Sequence, residues 1–183
     1  MKAPIAAFGL VAVILAIWAF TGMNRSPLPP VADAGPLAPA TLPKGEVVLT
    51  VNQEINGQQQ VLAYFDLPAL QALPIASFET TTMWTHGLQK FEGVDLKIFL
   101  DSLGVAAGTL IATAVNDYRI EIPVAEIEQG GPMIAYHVNG SPMSVRDKGP
   151  LWIVYPYDAN PKYQTEVVFS RSIWQMNRLE VAP

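Results

Sequence analysis

The chain has 183 residues, half of them apolar and 15% charged, enough for one ordinary domain with a short appendage. It has no cysteine, which excludes disulfides, thiolate metal ligands, iron–sulfur clusters and cysteine nucleophiles, and its two histidines, His86 and His137, offer little to a histidine-built metal site. The formal charge of −5 argues against nucleic acid as a partner, because phosphate binding needs clustered Lys and Arg.

Residues 4–23 carry no charged side chain, and twenty helical residues span roughly 30 Å, the thickness of a hydrocarbon core. Lys2 precedes this run and Arg25 follows it, a bias that favours a cytoplasmic N-terminus with the remainder exported. Residues 1–25 are therefore expected to form an apolar helix, either a signal peptide or a membrane anchor. The rest of the chain then lies on the periplasmic side of a bacterial inner membrane. No convincing small-x-small cleavage triplet lies close to the run, which favours the anchor. Six prolines between residues 26 and 44 preclude a sustained helix, so residues 26–45 read as an extended Pro-rich linker. The remaining domain, 46–183, holds eight Lys and Arg against fifteen Asp and Glu, a balance that disfavours adsorption to anionic lipid.

Within that domain, residues 47–51 alternate as a half-buried strand, and Asn56-Gly57 suits a hairpin turn before a second run at 60–64. Asp66 is placed to cap a short helix over 67–73. Residues 78–84 are β-prone, and Gly93 opens a helix over 94–103 whose Leu96, Phe99, Leu100 and Leu103 share a face. Strands are expected at 109–115 and 118–122 around an Asn116-Asp117 turn, followed by a short helical turn after Pro123. A strand at 133–138 meets the turn signal Asn139-Gly140, and further strands follow at 151–155 and 177–181. Short strands with three brief helices predict an α+β fold.

Three stretches gather polar and aromatic groups. Thr80-Thr81-Thr82 with Trp84, Thr85 and His86 offers hydroxyls to a bound anion, although threonine is also an ordinary strand residue. Val115-Asn116-Asp117-Tyr118-Arg119 is an ordinary Asx turn by composition. Arg146-Asp147-Lys148-Gly149-Pro150, followed by Tyr155-Pro156-Tyr157-Asp158, brings two cations and stackable rings suited to a carboxylate or phosphate. There is no phosphate-cradling glycine loop and no paired acid/base carboxylates.

The order of these stretches resembles the molybdopterin-binding oxidoreductase domain, the sulfite-oxidase-type fold, over residues 47–181. Phe65-Asp66-Leu67 with Leu70 resembles the helix that precedes the metal-ligand strand. Phe91-Glu92-Gly93-Val94-Asp95-Leu96 with Phe99-Leu100 is similar to the family's W-x-G-x-P-L…L-L helix entry. Val115-Asn116-Asp117-Tyr118 with Ile122-Pro123 is similar to its D/S-G-Y…P hairpin. Met133-Ile134-Ala135-Tyr136, Asn139-Gly140-Ser141-Pro142-Met143 and Gly149-Pro150-Leu151 resemble L-L-A-Y-x-x-N-G-x-P-L…G-x-P-L-R. The resemblance implies a molybdenum-holding cysteine on the strand at 78–84, where this chain has Thr81 or Thr82, and a hydroxyl does not replace a soft thiolate. It also implies an arginine where Trp152 stands and a lysine where Ile173 stands.

The expectation is a fold kept without its metal: no catalytic residue, no metal and no cofactor. The pocket expected from the resemblance comprises Thr81, Thr82, Trp84, Asn116, Asp117, Tyr118, Arg146, Lys148, Tyr155, Arg171 and Trp174. The protein is expected to be a membrane-tethered, non-catalytic binding or accessory module that takes a small anionic ligand. It would be held at the membrane by residues 4–23 and would face a membrane sensor or redox partner. Two alternatives are a molybdopterin-dependent oxidoreductase subunit with atypical metal ligation and a structural subunit of an envelope complex.

Overall fold

The computed structural model describes residues 42–183. The expected apolar helix within 1–25, its membrane contact at 4–23 and the linker up to residue 41 lie outside the described residues. Among those described, no helix is long and apolar enough to cross a membrane.

Alternation and turn chemistry write the first hairpin. Strands β1 (Leu49–Ile55) and β2 (Gln58–Phe65) flank Asn56 and Gly57, both at positive φ (54° and 74°), as a tight two-residue turn requires. Asp66 then caps α1 (Leu67–Gln71): one carboxylate oxygen accepts from Ala69 N at 2.8 Å and the other from Gly45 N at 2.9 Å. Strands β3 (Ile75–Thr80) and β4 (Gln89–Asp95) pair antiparallel and lead into α2 (Leu96–Ser102). Asp95 caps α2 through Ile98 N at 3.0 Å and also accepts from Gly130 N at 2.7 Å. Next come β5 (Thr109–Ala114), β6 (Arg119–Pro123), β7 (Met133–Val138), β8 (Ser141–Pro142) and β9 (Trp152–Val154). A short helix α3 (Glu166–Ser170) and the last strand β10 (Met176–Ala182) complete the order.

The strands form two five-stranded sheets with a few short helices, a mixed α+β fold. The first sheet runs β2-β1-β10-β5-β6, with β10 at its centre, parallel to β1 and antiparallel to β5. The second runs β3-β4-β7-β8, with β9 also pairing with β7. The segment between α3 and β10 stitches the sheets together: Ile153 N donates to Ile173 O at 2.9 Å, Met176 N to Leu151 O at 3.0 Å, and Val115 N to Gln175 O at 2.9 Å. Leu49, Val51, Phe91, Phe99, Leu100, Leu110, Ile134, Ile153 and Leu179 are sealed from solvent in the shared core. Each such side chain contributes about 1.5–3 kcal/mol by burial.

Several boundaries differ from those expected. The β-prone run at 78–84 stops as a strand at Thr80, because Thr81 gives its N–H to a side chain rather than to the ladder. The helix expected from residue 94 begins at Leu96, since Gly93, Val94 and Asp95 pair with β7 as the end of β4. Gly93 is required there: a Cβ would lie 2.0 Å from the Ile134 carbonyl oxygen. The turn after Pro123 is a single 3-10 turn, Val124–Glu126.

Candidate functional site

Residues 81–88 leave the sheet as a loop between β3 and β4, and their hydroxyls fold the chain back on itself. Asp158, in a 3-10 turn (Tyr157–Ala159), accepts from Thr81 N at 2.5 Å and from Thr81 Oγ1 at 2.8 Å, while its own N–H donates to Thr80 Oγ1 at 3.1 Å. These bonds from the Thr81 amide and hydroxyl hold the Asp158 carboxyl below the usual carboxylate range. Thr82 Oγ1 accepts from Trp84 N at 3.1 Å and shares a hydrogen bond with Thr85 Oγ1 at 2.7 Å. The threonines therefore act on the chain itself, and what they present is the indole of Trp84.

Trp84 meets four rings edge-on: Trp174 at 5.5 Å between centroids, Trp152 at 5.9 Å, Phe169 at 6.1 Å and Tyr157 at 6.2 Å. Edge-to-face contacts of this kind hold rings in a defined orientation. Beneath them Tyr157 donates to Ser172 Oγ at 2.5 Å, and Ser172 Oγ in turn donates to Val168 O at 2.9 Å. Burial pushes the Tyr157 phenol up to about 12, and the bond to Ser172 opposes that shift in part. The Trp152 indole N–H is also satisfied, by Ser172 O at 3.3 Å.

A cleft of about 430 Å3 opens against this cluster. Trp84, Tyr118, Phe169 and Trp174 form its walls, and Asn116, Ser170, Ser172 and Gln175 supply its polar groups. None of its lining residues is charged. Tyr118 and Trp174 are 53% and 36% exposed, so ring faces are available at the mouth.

Of the eleven residues expected in one pocket, the structure brings Trp84, Asn116, Tyr118 and Trp174 into this cleft. Thr81 and Thr82 line a neighbouring cleft with Asp158 and Gln164. Arg146 and Lys148 line a third with Thr85, Met143 and Trp152, and the Lys148 ammonium lies 5.8 Å and 5.9 Å from the ring centroids of Trp152 and Trp174. Tyr155 and Arg171 line a fourth, and Asp117 stands in an exposed turn, paired with Arg178 at 3.3 Å. Phe169, Ser170, Ser172 and Gln175 were not expected at the site. The signal for the first two was Thr165 followed by Glu166, which marks a helix start: Thr165 Oγ1 accepts from Val168 N at 3.3 Å at the head of α3.

The positions that the family resemblance reserves for a thiolate and two cations hold other chemistry. Thr81 spends its hydroxyl on Asp158, Trp152 is an indole 1% exposed, and Ile173 is an alkyl side chain 2% exposed. Such groups suit neither a soft metal nor the phosphate of a pterin. Among the described residues, no cluster of three or more His, Asp or Glu is placed to hold a metal ion. Compared with known proteins, the chain matches no family model and no curated protein.

Proposed function

We propose that residues 46–183 form a non-catalytic binding or accessory module of sulfite-oxidase-like fold, with the cleft at Trp84 as its recognition site. In this reading residues 4–23 tether it to the periplasmic face of a bacterial inner membrane, where the bound state is presented to a membrane sensor or redox partner. The carrying observation is the cleft's lining: four aromatic side chains, four uncharged hydrogen-bonding residues and no ionised group. A pocket of that composition takes a ring compound of low charge by stacking, with a few polar groups fixing its orientation. An anionic ligand is less well served, because no cation lines this cleft, and Arg146 and Lys148 line a separate one. The resemblance to a molybdopterin domain then describes ancestry of fold, with a hydroxyl at Thr81, an indole at Trp152 and an alkyl side chain at Ile173 in place of the groups that such an enzyme needs.

The test is a panel of neutral heterocycles and their carboxylated counterparts, titrated into the full chain and followed by tryptophan fluorescence. Saturable quenching by neutral compounds is expected. Affinity should fall about tenfold in Trp174→Ala, the ~1.4 kcal/mol that one lost stacking wall removes. A consistent preference for the carboxylated compounds, or no saturable binding across the panel, refutes the ligand class. Stoichiometric molybdenum in protein purified from a molybdate-replete host refutes the non-catalytic reading itself.

A further inference from the structure

We infer that Asn56 is a site of spontaneous covalent modification, deamidation through a cyclic imide, and that the fold protects the chain's other Asn-Gly pair from the same reaction. The two pairs are Asn56-Gly57 and Asn139-Gly140. The chemistry needs only water. The glycine backbone nitrogen gives up its proton and attacks the asparagine Cγ; a C–N bond forms, the Cγ–Nδ2 bond breaks, and ammonia leaves with that proton. Water then opens the imide at either carbonyl to give aspartate or isoaspartate. Nothing is oxidised or reduced. Glycine favours the step because its nitrogen carries no side chain beside it and its backbone rotates freely.

The two turns have nearly the same backbone. Asn56 and Gly57 lie at φ 54° and 74°, Asn139 and Gly140 at 51° and 77°. Each pair is exposed and joins two antiparallel strands. A Cβ on either glycine would meet nothing within 4 Å, so neither nitrogen is shielded by packing. Exposed turns of this kind open locally at small cost. What differs is the hold on the asparagine side chain. Asn139 is tied to β4: its Oδ1 accepts from Lys90 N at 2.9 Å, its Nδ2 donates to Gln89 Oε1 at 2.8 Å, and its own N–H donates to Lys90 O at 2.8 Å. These bonds run to β4, so fraying of the two-residue β8 leaves them in place. Carrying the Asn139 Cγ to the Gly140 nitrogen breaks both side-chain bonds. The Asn56 amide makes no hydrogen bond to a described residue and reorients without that loss. Two hydrogen bonds of ordinary net strength slow Asn139 about tenfold relative to Asn56.

The product alters the hairpin. Isoaspartate routes the main chain through Cγ and adds one carbon to a turn built for two residues, and either product adds a carboxylate two residues from Glu54. Strand β2 is an edge held by β1 alone, so it loosens from the Ile55–Gln58 pair that closes the turn. Neither Asn56 nor Gly57 lines the cleft at Trp84, and the inference is independent of the ring-ligand reading.

The experiment ages the full chain in mildly alkaline buffer made with 18O water, with the same chain in concentrated urea as reference. Peptide mass spectrometry follows label at each pair, and electron-based fragmentation separates isoaspartate from aspartate. In the folded protein Asn56 should convert about tenfold faster than Asn139; in urea, where the tether to β4 is gone, the two rates should converge. Aged protein should also show faster amide exchange at Gln58 than fresh protein, with Lys90 unchanged. Equal rates in the folded chain, or faster loss of Asn139, overturn the inference. A ratio that persists unchanged in urea also overturns it, because selectivity would then come from the flanking residues and not from the fold.

Discussion

Replacing Asp158 by asparagine tests whether one carboxylate sets the loop that carries Trp84. The native side chain accepts two hydrogen bonds from Thr81, at 2.5 Å and 2.8 Å, and asparagine presents a neutral amide in place of the charge. A hydrogen bond to a charged group is worth about 1.5–3 kcal/mol in mutational series. Asp158 is exposed, however, so solvent screening brings the pair down to about 1 kcal/mol. That corresponds to a Tm about 3 °C lower at neutral pH and about fivefold faster exchange of the Thr81 amide. The pH dependence gives the sharper test. The Asp158 pKa is lowered in the folded protein, so its contribution is fully present above the unfolded carboxylate value, about 3.9, and is lost as pH falls through the lower native value. The difference between the two proteins, followed by denaturation from pH 7 downward, should therefore shrink toward zero in acid. Other carboxylates titrate in both proteins and cancel in the difference. A gap that stays constant or widens on acidification would refute the assignment of the loop anchor to the Asp158 charge.

Trp84→Ala removes a half-buried indole from contact with four rings and should cost about 2–3 kcal/mol, below the 3–5 of a fully buried aromatic; urea unfolding of the full chain measures it. Gly93→Ala drives a Cβ to 2.0 Å from the Ile134 carbonyl oxygen and 2.7 Å from Ala135 Cα, so β4 and β7 must separate. A loss of about 3 kcal/mol is expected, seen as a lower denaturation midpoint with unchanged slope. The Tyr157 phenol, with its pKa raised to about 12, should ionise near that pH in an ultraviolet titration after a rapid pH jump, and the transition should vanish in Tyr157→Phe. Because the folded value lies above the ordinary one, its contribution to stability is complete below about pH 10 and declines as pH rises toward 12.

The local features of the fold were legible because each rests on neighbouring residues. Asn56-Gly57 and Asn139-Gly140 announce their turns through residues that tolerate positive φ, and Asp66 announces α1 through its cap. Strand β7 emerges with the limits expected of it. Strand β4 was hidden because Gly93 and Asp95 read locally as a helix entry, and only the neighbouring β7 backbone, which fills the space beside Gly93, makes that stretch extended. The end of β3 was hidden for a related reason: Asp158, seventy-seven residues away, takes the Thr81 amide that would have continued the strand. At the site, aromatic residues were the better guide. Trp84 and Trp174 meet at 5.5 Å between centroids and Tyr118 lines the same cleft, whereas Arg146, Lys148 and Arg171 are distributed among separate clefts by local turns and ion pairs. Charge written in a sequence says little about where a long side chain ends up.

Strand β10 has a consequence for the order in which the chain can fold. It is the middle of its sheet, yet a ribosome makes it after every other strand. Until it emerges, β1–β2 and β5–β6 are separate hairpins, and isolated two-stranded hairpins are marginal in water. The first sheet thus stays open until β10 is available. A ribosome stalled before Met176 should expose protease-sensitive hairpins, while one stalled beyond Ala182 by enough residues to clear the exit tunnel should yield a protected domain.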